Sequence, residues 1–287
     1  GGPGPGGGPG PRPKPAVEDA YAIARATAAE PSLGPVKAAA AAASPAHEEL
    51  AAARTHRDML VDRHRSMLNH AEAVLGALPL EFTDADRDRT RKVAPRLRAI
   101  ATAWAADEYT AAPAVVRAQL AMLAELHTDT VEVTRRIRVL DKQLAALITA
   151  CGSTLLEEPG VGVVGATVLL TEVGDPARFR SEAAFNRWWG GAPVAVSSGE
   201  GHGEPVRHRL DLLGNRAVNS VFYTMSITQA RSYEPARAYL ARKRADGKSK
   251  KEARRAHKTQ LGRRVIRRMW RDHRARTHPG KDLAAVA

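Results

Sequence analysis

The chain has 287 residues, of which 44% are hydrophobic and 5% aromatic, and its formal net charge is +13. A chain of this length can bury a sizeable core. Its single cysteine excludes a disulfide framework or a thiolate zinc site and fits a reducing cytosol. No run of about 18 apolar residues is present, so a membrane span is not expected.

The positive charge is concentrated near the C-terminus. Residues 242–276 hold 16 basic and 3 acidic side chains, a net of +13, so the rest of the chain sums to zero. The basic residues are interleaved with apolar residues at helical spacing. This pattern favours a polyanion such as nucleic acid as the partner, with a solvated tail as the alternative.

The first 45 residues predict little folded structure. Residues 1–15 are a low-complexity glycine and proline string that should be disordered. Residues 16–30 are expected to form a helix, and residues 31–45 are expected to form a linker that contains a run of alanines.

The region that follows predicts a long helical hairpin or a coiled coil. One helix should start near Ser44 and Pro45, because serine caps a helix and proline fits its first turn, and should run to about Leu78. A short helix is expected over residues 92–107 and a long one over residues 113–150. An apolar stripe at spacings of three and four favours pairing of the two long helices, as a coiled coil or as a bundle core. On the second long helix the stripe consists of Val116, Leu120, Leu123, Val133, Ile137, Leu140, Leu144 and Leu147.

The stretch from residue 155 to residue 216 contains the candidate chemistry. It opens with Pro159-Gly160-Val161-Gly162, a turn that joins two predicted helices. Such a turn can present backbone N–H groups to a phosphate, although it is equally common as a plain helix turn. A polar, glycine-dense loop with Ser197 and Ser198 follows, and Gly214-Asn215 predicts a further turn.

Three helices are predicted after this stretch, over residues 216–231, residues 235–243 and residues 250–273. Ser249 should cap the last of them. Its apolar stripe faces away from its arginines and consists of Leu261, Val265, Ile266, Met269 and Trp270. The predicted fold class is therefore mainly α, with a helical hairpin or coiled coil before a helical C-terminal domain that contains a helix-hairpin-helix-like segment.

These motifs, taken together, resemble the C-terminal domain of transposases of the insertion sequence 110/116/902 family. In order they are PGVG…A…LL…E-GD-ARF-S, AAF…GGAPV…SSG, R-HRL…GNR..N and P-RAY…R-A-GKSK-EA…K…RR. Upstream, KPAVEDAYAIAR is similar to the end of the family's RuvC-like nuclease domain, and the helical hairpin corresponds to the family's coiled coil. The resemblance divides the chain into a Gly/Pro segment (1–15), a RuvC-like remnant (16–30), a hairpin (31–150), a serine transposase domain (151–276) and a tail (277–287).

The resemblance implies a DNA recombinase that works in the cytoplasm on the nucleoid. Family members use four acidic residues to bind divalent metal, and a serine that attacks a DNA phosphodiester and stays linked as phosphoserine until the strand is exchanged. Matched by motif, Ser198 is the expected nucleophile, Ser197 the alternative, and Asp19 a ligand of Mg²⁺. DNA is the expected partner, a structured guide RNA is a second one, and a dimer or a dimer of dimers is expected.

The acidic cluster departs from the family pattern. Ala16 stands where the family has its first aspartate, and Asp19 alone matches. A single carboxylate cannot hold a catalytic magnesium ion. The sequence therefore predicts a truncated transposase that is inactive alone, with a non-catalytic nucleic-acid-binding remnant as the alternative.

The nucleic-acid contacts are expected in the PGVG turn, around the serine loop and in the basic block. Trp188 and Trp189 are interpreted as core residues rather than as bases for stacking. The predicted contact residues are Gly160, Gly162, Arg178, Arg180, Arg207, Arg209, Arg216, Lys248, Lys250, Lys251, Arg254, Arg255, Lys258, Arg263, Arg264 and Arg267.

Overall fold

Two long helices, α1 (Pro45–Ala77) and α3 (Ala114–Ala150), pack side by side in the computed structural model. The structure describes residues 45–79, 82, 92–195, 208–210 and 214–278. The start of α1 lies against the end of α3, and the end of α1 against the start of α3, so the pair is an antiparallel hairpin. The shorter helix α2 (Val93–Ala105) packs on α3 at the far end of this hairpin.

The apolar stripe predicted on α3 is the face that α3 buries against α1. Leu120, Leu123 and Leu144 are fully buried, and Ile137 is partly buried. The residues of the stripe recur at three or four positions within each half of α3, as packing between helices requires. The bounds of α1, α2 and α3 agree with the prediction to within two residues, and the coiled coil stays a prediction.

A charged residue on the seam of α1 is accommodated by an ion pair across the hairpin. Arg57 falls among the apolar positions of α1, and its Nε lies 2.6 Å from Oδ1 of Asp141 on α3. The side chain of Arg57 is 16% exposed, so its apolar stem covers core surface while its charge is neutralised. The break in the apolar pattern is therefore compatible with the hairpin.

The C-terminal half of the described chain is built from short elements and three longer helices. A two-stranded antiparallel sheet, which the sequence reasoning did not predict, pairs Pro193 with Leu210 and Ala195 with His208. The mainly α fold class is confirmed. In order the elements are a 3₁₀ turn (Leu155–Glu157), α4 (Val163–Val173), a 3₁₀ turn (Pro176–Arg178), α5 (Glu182–Trp188), β1 (Pro193–Ala195), β2 (His208–Leu210), α6 (Arg216–Ser232), α7 (Glu234–Ala245) and α8 (Lys250–Thr277).

The predicted apolar face of α8 forms the centre of the C-terminal core. Leu261, Val265 and Ile266 are fully buried and belong to one hydrophobic cluster with Leu50 of α1 and Leu144 of α3. The base of the hairpin and the C-terminal helices therefore share one core. Truncation of any of these apolar side chains would therefore destabilise both the hairpin and the C-terminal helices.

The capping prediction for α8 is confirmed. The Ser249 hydroxyl accepts a hydrogen bond from the Glu252 backbone N–H, and the Glu252 carboxylate accepts from the Ser249 backbone N–H. This capping box satisfies two N–H groups that the first helical turn leaves unpaired. With Ser249 as its cap, α8 begins at Lys250, as the sequence predicts.

The segment before the PGVG turn is shorter than predicted. Instead of an α-helix, residues Leu155–Glu157 form a single 3₁₀ turn, so the helix-hairpin-helix geometry stays a prediction. Gly160 has a φ of 80°, a left-handed conformation that favours glycine. Among the helices that the structure describes, no segment combines the length and apolar character that crossing a bilayer requires.

Candidate functional site

The predicted nucleophiles lie in the segment that joins β1 to β2. Ser197 and Ser198 follow the last residue of β1 by two and three positions. Both serines lie outside the described residues, as do Arg207 and Asp19. We refer to residues 196–207 as the serine loop, and the structure describes how its two ends are held.

The first end of the serine loop is held by a set of hydrogen bonds that centres on Asn186. Its backbone carbonyl accepts from the N–H groups of Gly191 (2.7 Å) and Ala192 (3.1 Å). Its side-chain oxygen accepts from Nε1 of Trp189 at 3.0 Å, and its amide nitrogen donates to the Thr259 carbonyl of α8 at 3.3 Å. The Thr259 hydroxyl donates to the Gly191 carbonyl at 2.9 Å. We call these residues the Asn186 clamp.

The centre of the clamp is buried, which makes the hydrogen bond between Asn186 and Trp189 costly to lose. Asn186 is 2% exposed, and Trp189 is fully buried, which confirms its interpretation as a core residue. A buried polar group without a partner costs about 1–3 kcal/mol. The chain just before β1 is therefore fixed to α5 and to α8.

Glycines permit the close approach of backbones at this point. A Cβ atom on Gly262 of α8 would lie 2.1 Å from the Asn186 side-chain oxygen, and one on Gly214 would lie 2.4 Å from the Gly190 nitrogen. Both distances are far shorter than a van der Waals contact between a carbon atom and a non-bonded neighbour. The two glycines therefore allow α8 and the end of the β2 segment to reach the Asn186 clamp.

The other end of the β1–β2 segment is held by Asn215. Its backbone N–H donates to the Trp188 carbonyl at 3.1 Å, and its side-chain oxygen caps α6 by accepting from the Val218 N–H at 3.0 Å. Its amide nitrogen donates to Oε2 of Glu172 at 2.8 Å, and Oε1 of Glu172 accepts from Arg54 of α1 at 2.9 Å. A chain of polar contacts thus connects Asn215, which follows the β1–β2 segment in sequence, with the helical hairpin.

One predicted nucleic-acid contact, Lys258, lies inside the fold. It is 8% exposed, and its Nζ donates to Oδ1 of Asn219 on α6 at 2.7 Å. Burial lowers the pKa of its ammonium group, and the neighbouring Arg255 and Arg254 lower that pKa further. In this arrangement Lys258 joins α8 to α6 next to the clamp, and a role in nucleic-acid binding stays a prediction.

Three other predicted contacts on α8 are engaged in ion pairs within the protein. Nη2 of Arg264 lies 2.6 Å from Oε1 of Glu158, a carboxylate whose pKa burial raises and whose charge the arginine favours. Arg263 and Arg267 both pair with Glu182 of α5. The charges of these three arginines are therefore partly compensated by two acidic residues of the fold.

The predicted arginines before the serine loop have different environments. The guanidinium of Arg178 lies over the rings of Phe179 and Trp188, at 4.6 and 4.8 Å from their centres, and burial lowers its pKa. Arg180 is exposed, and so is Arg216 at the start of α6. For Arg209 the structure describes only the strand, β2, in which it lies.

The two glycines of the PGVG turn also differ. A Cβ on Gly160 would lie 3.3 Å from the Gln229 side chain and 3.4 Å from the Met225 carbonyl oxygen, whereas one on Gly162 would meet no atom within 4 Å. Gln229 reaches the turn by donating to the Pro159 carbonyl at 2.5 Å. Gly160 therefore packs against α6, and Gly162 is the more open of the two positions.

The described residues do not provide a magnesium site. Within residues 45–79, 92–195 and 214–278, no three His, Cys, Asp or Glu side chains come together as metal ligands would. Magnesium sites in proteins are built from carboxylate and other oxygen ligands. Asp19, the predicted ligand, lies outside the described residues.

The part of the chain that contains the serine loop is similar to known proteins. Residues 152–241 match the profile described as the Transposase IS116/IS110/IS902 family. This region is therefore similar to transposases, and the family that it matches is the one that the motifs resemble.

Two relatives show similarity over part of their length. The chain is 34% identical over 119 residues to the uncharacterized 43.6 kDa protein of insertion element IS110 from Streptomyces coelicolor, which covers 40% of this chain and 28% of that protein. It is 41% identical over 64 residues to a Sinorhizobium fredii protein with a provisional assignment as a transposase, which covers 22% of this chain and 16% of that protein. The matched part thus spans less than a third of either relative.

Buried Ser226 and His257 connect α6 to α8 beside the site. The Ser226 hydroxyl lies 3.1 Å from Nδ1 of His257, and both residues are buried. Burial lowers the pKa of His257 to about 4, and Arg264 lowers it as well. The imidazole is therefore neutral in the folded protein at neutral pH.

Substitution of Gly262 by alanine should destabilise the protein and loosen the Asn186 clamp. Because the new methyl group overlaps the Asn186 side chain, we expect a loss of about 1–3 kcal/mol in the free energy of unfolding. Gly76→Ala is the matched control, since a Cβ there meets no atom within 4 Å. In a helix it should stabilise by up to about 1 kcal/mol. Urea unfolding of both variants measures the difference, and equal effects would contradict the close approach at Gly262.

The stability of the protein should fall as the pH is lowered from 6.5 to 4. In this window the unfolded state protonates His257 and the folded state does not, so protons favour unfolding. A pKa lowered from 6.5 to about 4 corresponds to roughly 3 kcal/mol. His257→Gln should remove most of this dependence, as measured by urea unfolding at several pH values. A variant that retains the full wild-type slope would show that His257 is not the responsible group.

Proposed function

We propose that this chain is the serine-bearing, DNA-binding part of a transposase, and that Ser198 attacks a DNA phosphodiester. The observation that supports it most directly is the family match over residues 152–241, a region that contains the serine loop and all of the Asn186 clamp except Thr259. A reactive hydroxyl must be held within a few tenths of an ångström of its target. Fixed loop ends reduce the conformations that the loop can adopt.

The proposed reaction conserves phosphodiester bonds. The Ser198 oxygen forms a bond to phosphorus while the bond from phosphorus to one deoxyribose oxygen breaks. The serine proton passes to a base or water, and the leaving alkoxide takes up a proton. In the second step the hydroxyl of another strand attacks the phosphoserine and releases the serine.

Cations around the loop would support this chemistry. Arg207, Arg209 and Arg216 are adjacent in sequence to the loop or to its Asn215 anchor. Charge-assisted hydrogen bonds from guanidinium groups stabilise the negative charge that develops on the phosphate oxygens. Ser197 is the alternative nucleophile, since it stands next to Ser198.

The family likeness suggests a dependence on divalent metal, and Mg²⁺ would bind carboxylates. We propose that catalysis needs carboxylates beyond Asp19, the only residue that matches the acidic pattern. Catalysis by this chain alone is therefore expected to be weak or absent. Exchange of strands between two duplexes requires several active sites, so we also propose a homo-oligomer, with structured RNA as a second candidate partner.

A second candidate function is a nucleic-acid-binding protein without catalysis. The basic block of residues 242–276 supports it, since binding through phosphates needs no nucleophile and no metal. It shares the DNA partner with the first proposal. The two differ in whether a covalent bond to DNA forms.

Covalent trapping tests the nucleophile. The purified chain is incubated with a pool of nicked duplexes of randomised sequence and with Mg²⁺ or Mn²⁺. Denaturing electrophoresis should show a protein–DNA adduct in a minority of chains, and mass spectrometry should locate the phosphate on Ser198. The adduct should disappear in Ser198→Ala and persist in Ser197→Ala. An adduct lost only in Ser197→Ala would reverse the assignment, and no adduct with either metal would favour the non-catalytic function.

A further inference from the structure

The basic block of residues 242–276 is divided by the fold into two parts with different surroundings. Residues 242–255 carry eight basic and two acidic side chains. One acid, Asp246, pairs with Lys243 at 2.9 Å, and the other, Glu252, belongs to the capping box of α8. The positive charge of this part therefore exceeds what its own acidic residues compensate.

Most of these cations point to solvent. We define the α7–α8 basic face as the basic residues of this part at the end of α7, in the connection and in the first two turns of α8, without Lys243, which pairs with Asp246. All are exposed except Arg254, which is partly buried. The members of the face are Arg242, Arg244, Lys248, Lys250, Lys251, Arg254 and Arg255.

In the second part of the block, the four arginines between residues 263 and 268 form ion pairs with acidic residues of other elements, whereas Arg271 and Arg274 beyond them are exposed. Arg263 and Arg267 pair with Glu182, Arg264 with Glu158, and Arg268 with Glu157 at 2.8 Å. Glu182 belongs to α5, Glu157 to the 3₁₀ turn before α4, and Glu158 directly follows that turn. The ion pairs therefore connect α8 to the elements before and after α4. A phosphate would have to displace an existing partner to bind there.

The basic face lies one helical turn from the Asn186 clamp. The Thr259 hydroxyl, which donates to the Gly191 carbonyl at 2.9 Å, is also 3.2 Å from the Arg255 carbonyl on the preceding turn. Arg254 lies over the ring of Tyr223 on α6 at 5.7 Å. A strand held on this face would therefore pass close to the start of the serine loop.

The electrostatics indicate uncompensated positive charge at this place. The pKa of buried Lys258 is lowered by burial first and then by Arg255 and Arg254. Like charges that repel one another destabilise the folded state, and a bound polyanion removes this repulsion. Nucleic acid should therefore stabilise the protein as well as bind to it.

The two aromatic rings near the face already have cations of the protein over them. Arg254 lies over Tyr223, which is 47% exposed, and Arg242 and Lys243 lie over Tyr239, which is partly buried. Single-stranded nucleic acid is typically bound by open aromatic rings on which bases stack. Because six of the seven cations of the face are exposed and both rings are occupied by cations, we expect contacts to phosphates, as a duplex offers them, rather than stacking of bases.

We propose that the α7–α8 basic face, and not the whole of residues 242–276, is the surface on which duplex DNA docks through its phosphates. The arginines from Arg263 to Arg268 hold α8 in the fold and contribute little to binding. The choice of DNA rests on the proposed function. The docked duplex is placed beside the serine loop and is bound without sequence preference.

Fluorescence anisotropy with a labelled 20-base-pair duplex of arbitrary sequence tests the surface, between 50 and 200 mM salt. The triple variant Lys250→Gln, Lys251→Gln, Arg255→Gln removes three exposed charges. Each lost phosphate contact lowers the salt slope by about 0.9, so we expect a slope smaller by about 3 and an affinity ~100-fold weaker at 100 mM salt. Circular dichroism and thermal melting should match the wild type.

Two control variants make the comparison specific. The triple variant Arg136→Gln, Arg138→Gln, Lys142→Gln removes the same charge from exposed positions of α3 and should change the affinity by no more than about 3-fold. The double variant Arg263→Gln, Arg267→Gln should lower the melting temperature slightly and leave the salt slope unchanged.

Three results would overturn the proposal. They are unchanged binding in the α8 triple variant, equal loss in the α3 triple variant, and binding of single-stranded RNA at least 10-fold tighter than of the duplex. The proposed function fails separately. If the wild-type chain forms no adduct but binds duplex DNA through this face, catalysis alone is contradicted, whereas an adduct that persists in the α8 triple variant contradicts the docking surface alone.

Discussion

The hydrogen bonds of Asn186 are the constraint on which the arrangement of the site depends. The buried side chain of Asn186 connects α5 to Trp189 and to α8. The backbone carbonyl of Asn186 holds the two residues that lead into β1. Neither α8 nor the Gly190–Gly191 turn could approach so closely if Gly262 or Gly214 carried a side chain. The core formed by α8 and the helical hairpin thus determines where the serine loop starts.

The distribution of charge follows from the same packing. Because α8 lies with its second half against acidic residues of the neighbouring elements, the arginines there are paired in the fold. Its first two turns extend beyond those partners and carry exposed cations. A single basic helix therefore has ion pairs with the fold along one part, and at its start the exposed cations to which we assign a polyanion. The family match ends at residue 241, just before this helix and the end of α7.

Local signals explain what could be predicted from the sequence. Pro45 and Ser249 mark helix starts through their own backbone and side-chain chemistry, and the leucine spacing of α3 requires only one neighbour to bury it. Contacts between distant residues carry no such local signal. The pairing of Arg264 with Glu158, the place of Asn186 between Trp189 and Thr259, and the burial of Lys258 depend on how the helices pack. The uniform charge of residues 242–276 therefore gave no indication of its division, and the serines themselves stay predictions.

Native-state hydrogen exchange of the amides that hold the serine loop tests the central claim most directly. The N–H groups of Gly191 and Ala192 donate to Asn186, and that of Asn215 donates to Trp188. If these bonds fix the ends of the loop, the three amides should exchange as slowly as the buried Leu261 amide of α8 and open only with the core. Exchange at the rate of an unstructured peptide, with Leu261 still protected, would show that the loop ends are not held and would contradict the account.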